Sequence, residues 1–313
     1  MHPFRRSRPT ATLGLALSLA LVGSFQLSCI HGADEPTGSA AKTDFLNADE
    51  PIKSPFLWRL THKSQSCYLL GTIHIGIDPK KELPNSVWRA FESTTHLIVE
   101  HDLNRFIVDQ PSSRFVNTDP LSQTLSETAW ANLRSALPNI DSKQLESFSP
   151  GIAAMNYQWA LLMQSLPPAP PQLDRYLVQK ASEQEMKLSY LESADEAFEA
   201  LNQTISSISE LEAMLVRDRM EFQSTVVTQL AELIRAYRSG DIHKLEDEAM
   251  DQMSMRTYDI LVAQRNQRWK NALSQFVQRG NCFIAVGAAH MIGQDSLLKL
   301  LEDEAIKIER IEP

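Results

Sequence analysis

Glycine is scarce in this chain, with 11 among 313 residues, and no G-x-x-x-x-G-K segment occurs. The backbone cradle that nucleotide phosphates need is therefore missing. No serine-centred nucleophile elbow appears, and no cysteine stands near a histidine at a catalytic spacing, which argues against triad and thiol hydrolases. Basic residues form no dense cluster: 30 Lys and Arg face 39 Asp and Glu, a net charge of −9. Three of those arginines (Arg5, Arg6, Arg8) lie in the first 28 residues, which hold no acid, so the rest of the chain carries −12. Phosphate-backbone affinity rests on cationic side chains that displace counterions, so nucleic acid is not an expected partner. With 43% hydrophobic and 22% charged residues, the chain is neither disordered by composition nor a wholly apolar membrane protein, and it can bury a sizeable core.

The N-terminus joins MHPFRRSRPT to the uncharged run ATLGLALSLALVGSFQL, the layout of a secretory signal. As a membrane span it is barely long enough, since ~20 apolar residues cross the hydrocarbon, and Ser18, Ser24 and Gln26 dilute it; a retained anchor is the alternative to a signal that is cleaved or lipidated. Cys29 follows Leu27-Ser28 as in a bacterial lipoprotein box, so two fates stay open: lipidation of Cys29 as a membrane tether, or its loss with the signal. Residues 1–28 are thus expected to be a signal peptide and 29–54 a flexible tether of polar and Gly/Ala/Ser/Pro character. An exported chain with Cys67 and Cys282 remaining permits one disulfide. Against it, Cys67 precedes His74 by seven residues and Cys282 precedes His290 by eight, and a one-residue offset turns a side chain to the other face of a sheet. Buried free thiols are the expectation.

The folded part is expected over 55–313. Phe56–Thr61 alternates and Cys67–Leu70 is a short apolar run, which together read as a hairpin. Pro84 to Phe91 has proline at a helix start, and His96–Val99 is a second buried-strand run, completing a β-α-β unit. The middle reads as helical, with Met155, Trp159 and Met163 forming a core stripe, a proline-rich loop at 167–171, a helix from Leu173 to Met186, a strand Lys187–Leu191 and long amphipathic helices to Arg279. Cys282–Val286, a helix Ser296–Glu304 and Lys307–Ile311 close the chain. The expected fold class is α/β: a mixed central sheet from two β-α-β halves with a large helical insertion.

Two segments concentrate the chemistry, Gly71-Thr-Ile-His74-Ile-Gly76 and Gly287-Ala-Ala-His290-Met-Ile-Gly293. Each follows an apolar strand, and together they hold four of the 11 glycines. Ligands in open parallel sheets bind at the carboxyl edge, where both histidines and Glu100, at the end of the Leu97–Glu100 run, belong. Two imidazoles and a carboxylate make a ligand set for a divalent cation. The competing reading is structural hydrogen bonding at each strand end. His101, beside Glu100, is expected to point to the opposite face of its strand.

These motifs resemble the TraB/GumN family, related to PrgY and the TIKI metalloproteases. The resemblance runs through Tyr68-Leu-Leu-Gly-Thr-Ile-His74, Val99-Glu100, Arg265-Asn266-Gln-Arg-Trp269 and Ala285-Val-Gly-Ala-Ala-His290-Met-Ile-Gly293, with Leu83-Pro84, Leu191-Glu192-Ser193 and Gly240-Asp241 between them. It spans about Pro55 to Ile311. It implies a catalytic domain with His74, Glu100 and His290 at a metal (Mn, Co or Zn) and Arg265 lining the site. The chain departs from the family at Gln172-Leu-Asp174, where glycine commonly precedes the hydrophobic-Asp pair. Asp174 stays open between a site role and a plain helix N-terminal acid.

A cation in such a site polarises a scissile carbonyl and acidifies water, and a carboxylate takes the proton. Glu100 is either that base or only a ligand. Glu192 is a supporting or base candidate, or alternatively a cap for the following helix. Arg265 offers an oxyanion contact, or is a helix-surface arginine. The expected activity is an exported metal-dependent hydrolase of peptides; the alternatives are an ester or other small carbonyl substrate, and a non-catalytic protein that sequesters a peptide signal or metal complex.

Overall fold

The computed structural model describes residues 51–103, 117, 119–166 and 172–312. The signal segment, Cys29, most of the tether and the proline-rich loop lie outside the described residues. Ile52 is buried, and its N–H donates to Glu82 O at 2.8 Å, so packing begins a few residues ahead of Pro55.

Six strands form one mixed sheet. They are β1 (Leu57–His62), β2 (Gln65–Thr72), β3 (His96–Val99), β4 (Lys187–Tyr190), β5 (Cys282–Gly287) and β6 (Lys307–Arg310). Their order is β4-β3-β5-β2-β1-β6. β4, β3, β5 and β2 run parallel, and β1 is antiparallel to β2 and β6. β5, wholly buried between β3 and β2, has the continuous apolar sequence that a strand covered on both faces requires. The first crossover, through helix α1 (Asn85–Glu92), therefore does not join adjacent strands. β2 and β3 leave a gap that β5, from the far end of the chain, fills.

The helical part comes in two stretches, one between β3 and β4 and one between β4 and β5. In α2 (Pro150–Met163) twelve of 14 residues are buried, including Met155 and Trp159 from the expected core stripe. A helix apolar on all sides belongs inside, and α2 packs against helices of both stretches. Further helices are α3 (Leu173–Glu183), α4 (Ala194–Asn202), α5 (Arg219–Ser239) and α6 (Gln264–Arg279).

The expectation of two free thiols is overturned, because Cys67 and Cys282 form a disulfide with Cα atoms 4.8 Å apart. β2 and β5 pair with Tyr68 opposite Phe283, which sets the two cysteines side by side one residue earlier. The unequal intervals to His74 and His290 misled because the extra residue falls after the paired strands. Beyond Gly287 the chain turns into a 3-10 helix, Ala288–Met291. Strand alternation governs only residues inside the ladder.

Candidate functional site

Each of the four parallel strands releases a chemically active residue at its carboxyl end. His74 lies two residues past β2, Glu100 directly follows β3, Glu192 lies two past β4, and His290 sits in the 3-10 turn after β5. Strand pairing aligns these ends, with Thr72 opposite Gly287 and Val99 opposite Ala285. The glycines after the histidines, Gly76 (φ 89°) and Gly293 (φ 82°), take left-handed backbone that a side chain would strain. Helix α5 braces the first loop. Its Tyr237 hydroxyl donates to Gly71 O at 2.7 Å, and Arg238 donates to Gly76 O at 3.0 Å and to the buried Glu82 carboxylate at 2.7 Å.

His74 meets Asp174 from the first turn of α3. Nδ1 is 2.5 Å from Asp174 Oδ2, and the Thr72 hydroxyl donates to Oδ1 at 2.9 Å. Burial disfavours charge on His74, but the Asp174 carboxylate outweighs it and holds the imidazole above its ordinary pKa. Burial likewise opposes ionisation of Asp174, and His74 with the Thr72 hydroxyl holds its carboxyl below the usual value. Asp174 is thus both a first-turn acid and the partner that orients His74.

His290, fully buried, is held in the same manner by a different group. Nδ1 donates to Asn266 Oδ1 at 2.6 Å, while Asn266 Nδ2 donates to His290 O and Asp295 O. Trp269 packs against the ring at 4.5 Å between centroids. Burial, then the Arg265 guanidinium, drives the His290 pKa well below its ordinary value, so the ring is neutral. With the proton on Nδ1, Nε2 carries the lone pair and lies 3.7 Å from Glu100 Oε1.

Glu100, Glu192 and Arg265 form a buried ion network. Arg265 NH2 donates to Glu100 Oε2 at 2.6 Å and Glu192 Oε1 at 2.5 Å, and Nε donates to Glu192 at 3.0 Å. Gly287 N–H donates to Glu100 Oε1 at 2.6 Å. Burial raises the Glu100 pKa above its ordinary value, opposed by Arg265, His74 and the Gly287 N–H. Glu192 does not cap α4. That role belongs to Ser193, whose hydroxyl and Glu196 form a capping box. The half-exposed Arg268 also approaches Glu192, at 3.6 Å.

Arg265 and Asn266 both turn inward at the start of α6, directly after a π-helical turn, Asp259–Ala263. Such turns widen the helix and often accompany functional sites. Arg265, expected to line a site or lie on a helix surface, is 1% exposed.

Among the described residues the group with ligand atoms within 4.8 Å of one another is Glu100, His101 and Glu192, not the expected His74, Glu100 and His290; in donor chemistry these imidazoles and carboxylates fit a divalent cation. Both motif histidines have Nδ1 held by a side-chain oxygen, the arrangement that fixes ligating imidazoles. With both imidazoles neutral, as ligation requires, Glu100, Glu192 and Asp174 face Arg265 and the half-exposed Arg268, an excess of one negative charge. His101 corrects the expectation that it points to the opposite face of its strand from Glu100. It is buried, with a ring nitrogen that joins carboxylate oxygens of Glu100 and Glu192 in a group spanning at most 4.8 Å. β3 ends at Val99, so alternation no longer applies at 101. Burial pushes its pKa down to about 3.

Fold and site together define an α/β protein with a buried histidine, carboxylate and arginine centre at the carboxyl edge of its parallel strands. The chain belongs to the TraB/PrgY/gumN family, whose model matches residues 56–310. It is similar to the uncharacterized protein YbaP of Escherichia coli (strain K12), 24% identical over 242 residues covering 75% of this chain and 87% of that one. It is also similar to metalloprotease TIKI2 of Danio rerio, 23% identical over 370 residues covering 96% of this chain and 68% of that one. No solved structure matches it.

Proposed function

We propose that this protein is an exported metal-dependent hydrolase of peptide bonds, with the cation held by His74, Glu100 and His290. The observation that carries the reading is the matched anchoring of the two histidines through Nδ1, by Asp174 and Asn266. Imidazoles fixed this way present Nε2 in a set orientation. The metalloprotease named among the relatives supports a peptide substrate. A bound divalent cation supplies Lewis acidity to the scissile carbonyl.

The chain's own groups would do the rest. A carboxylate beside the cation, Glu100 or Glu192, would take the proton of the attacking water. Arg265 holds Glu100 and Glu192 in place. Export is our reading of the basic and apolar N-terminus, and the Cys67–Cys282 bridge supports an oxidising compartment.

The test is turnover of a peptide library, with ester substrates alongside, by chelator-treated protein resupplied with Mn, Co or Zn. Peptide cleavage that returns with metal and disappears in His74→Ala and His290→Ala is the expected result. Cleavage of esters alone would reassign the substrate, and turnover unaffected by chelation or by both substitutions would refute the metal mechanism.

A further inference from the structure

Every N–H of the Arg265 guanidinium is used. Nε and NH2 hold Glu192 and Glu100, while NH1 donates to Leu261 O at 3.1 Å and to His290 Nε2 at 3.2 Å. The ring of Trp269 lies 4.5 Å from the guanidinium carbon. The last of the NH1 contacts conflicts with the proposed cation site. A neutral imidazole has one lone pair on its unprotonated nitrogen, and His290 is neutral with its proton on Nδ1. Nε2 can therefore accept from Arg265 or ligate a metal, not both.

No comparable conflict exists at Glu100. Each carboxylate oxygen has two lone pairs, and each accepts a single hydrogen bond here, from Gly287 N and Arg265 NH2. Glu100 can bind a cation while still holding Arg265. The guanidinium also lies between Glu100 and Glu192, two members of the Glu100, His101 and Glu192 group. It already neutralises the charge that a second ion there would need.

We propose that Arg265 is an internal counter-cation that competes with the metal for His290. In the metal-free protein its NH1 arm occupies Nε2. Metal loading displaces that arm alone, and Nε and NH2 keep their hold on Glu192 and Glu100. The π-helical turn supplies the Leu261 carbonyl that continues to accept from NH1. The inference rests on the metal reading above and adds a cost of loading to it: the apparent affinity is the intrinsic one reduced by the fraction of molecules with Nε2 released.

The experiment measures Zn and Mn affinity of the metal-free full chain by competition with a fluorescent chelator. Arg265→Lys keeps the charge but lacks the planar fork that spans two carboxylates and the imidazole together. The double variant Arg265→Met with Glu192→Gln removes one charge of each sign, which keeps the net charge of the cluster and leaves Glu100 held by the Gly287 N–H. Both are expected to bind metal about tenfold more tightly than the parent or better. Unchanged or weaker binding by the Lys variant overturns the inference even if the double variant binds tightly, because altered local structure, not release of Nε2, would then be the cause.

If neither variant folds, the parent protein still decides. Guanidinium NMR should show a slowly exchanging, buried arginine Nη signal that shifts on saturation with Zn, and an unmoved signal refutes displacement. A parent that binds Zn or Mn while the variants show no gain refutes only the competition. No binding by any of the proteins refutes the metal reading and the competition with it.

Discussion

Asp174 Oδ2 lies 2.5 Å from Nδ1 of His74 across 100 residues of sequence, and both groups are buried. Asp174→Asn is expected to lower metal affinity and metal-dependent turnover by about 10- to 100-fold, as loss of a ligand's supporting carboxylate does elsewhere. In metal-free protein the pair also predicts a pH signature. Its stabilisation is complete between the unfolded pKa values, ~3.9 for Asp and ~6.5 for His. It is lost as pH falls through the depressed Asp174 pKa and as pH rises through the elevated His74 pKa. Thermal melts of parent and variant across this range should show their gap close on the alkaline side, and a gap that stays constant with pH would contradict the pairing.

Asn266→Ala removes the acceptor that fixes the His290 tautomer and two donors to backbone carbonyls. We expect a loss of about 1–3 kcal/mol, chiefly for the orphaned buried carbonyl of His290, and a separate fall of about 10- to 100-fold in metal affinity. Urea unfolding reads the first and chelator competition the second. Parent-like metal affinity in this variant would remove Asn266 from the site.

The Cys67–Cys282 bridge closes a long loop, with the cysteines 215 residues apart. Reduction, or Cys67→Ser, is expected to cost about 2–5 kcal/mol, measured by denaturant unfolding with and without reductant. Two alkylatable thiols in unreduced, folded protein would disprove the bridge.

Protein recovered from an expressing bacterium is expected outside the cytoplasm and lacking residues 1–28 or slightly more, read by intact mass. Fatty-acid labelling separates a Cys29 tether from release, and a Cys29→Ser form that is still labelled excludes Cys29 as the lipid site. Recovery of the full-length chain from the cytoplasm would refute export.

Local pattern made much of this protein legible. Strand and helix positions follow hydrophobic periodicity, which is set by each segment's own burial. The two Gly-x-x-His motifs mark strand ends because the apolar run before each histidine stops there. His101 and the cysteine-to-histidine intervals depart from strand alternation for one reason: the period of two holds inside a ladder, and Glu100 onward and Ala288 onward lie past its end. Asn266 stands beside Arg265 in the sequence, but nothing local gives it a partner.

The sequence by itself determined the elements, the acidic balance and which residue types stand at the four parallel strand ends, since these depend on neighbours a few positions away. Only the tertiary structure decided that β5 enters between β3 and β2, that Cys67 meets Cys282, that Asp174 and Asn266 each claim an Nδ1, and that Arg265 is buried between two carboxylates. Those pairings join residues up to 215 positions apart. Their geometry comes from strand order and from the packing of α3 and α6 on the sheet, which no local period encodes.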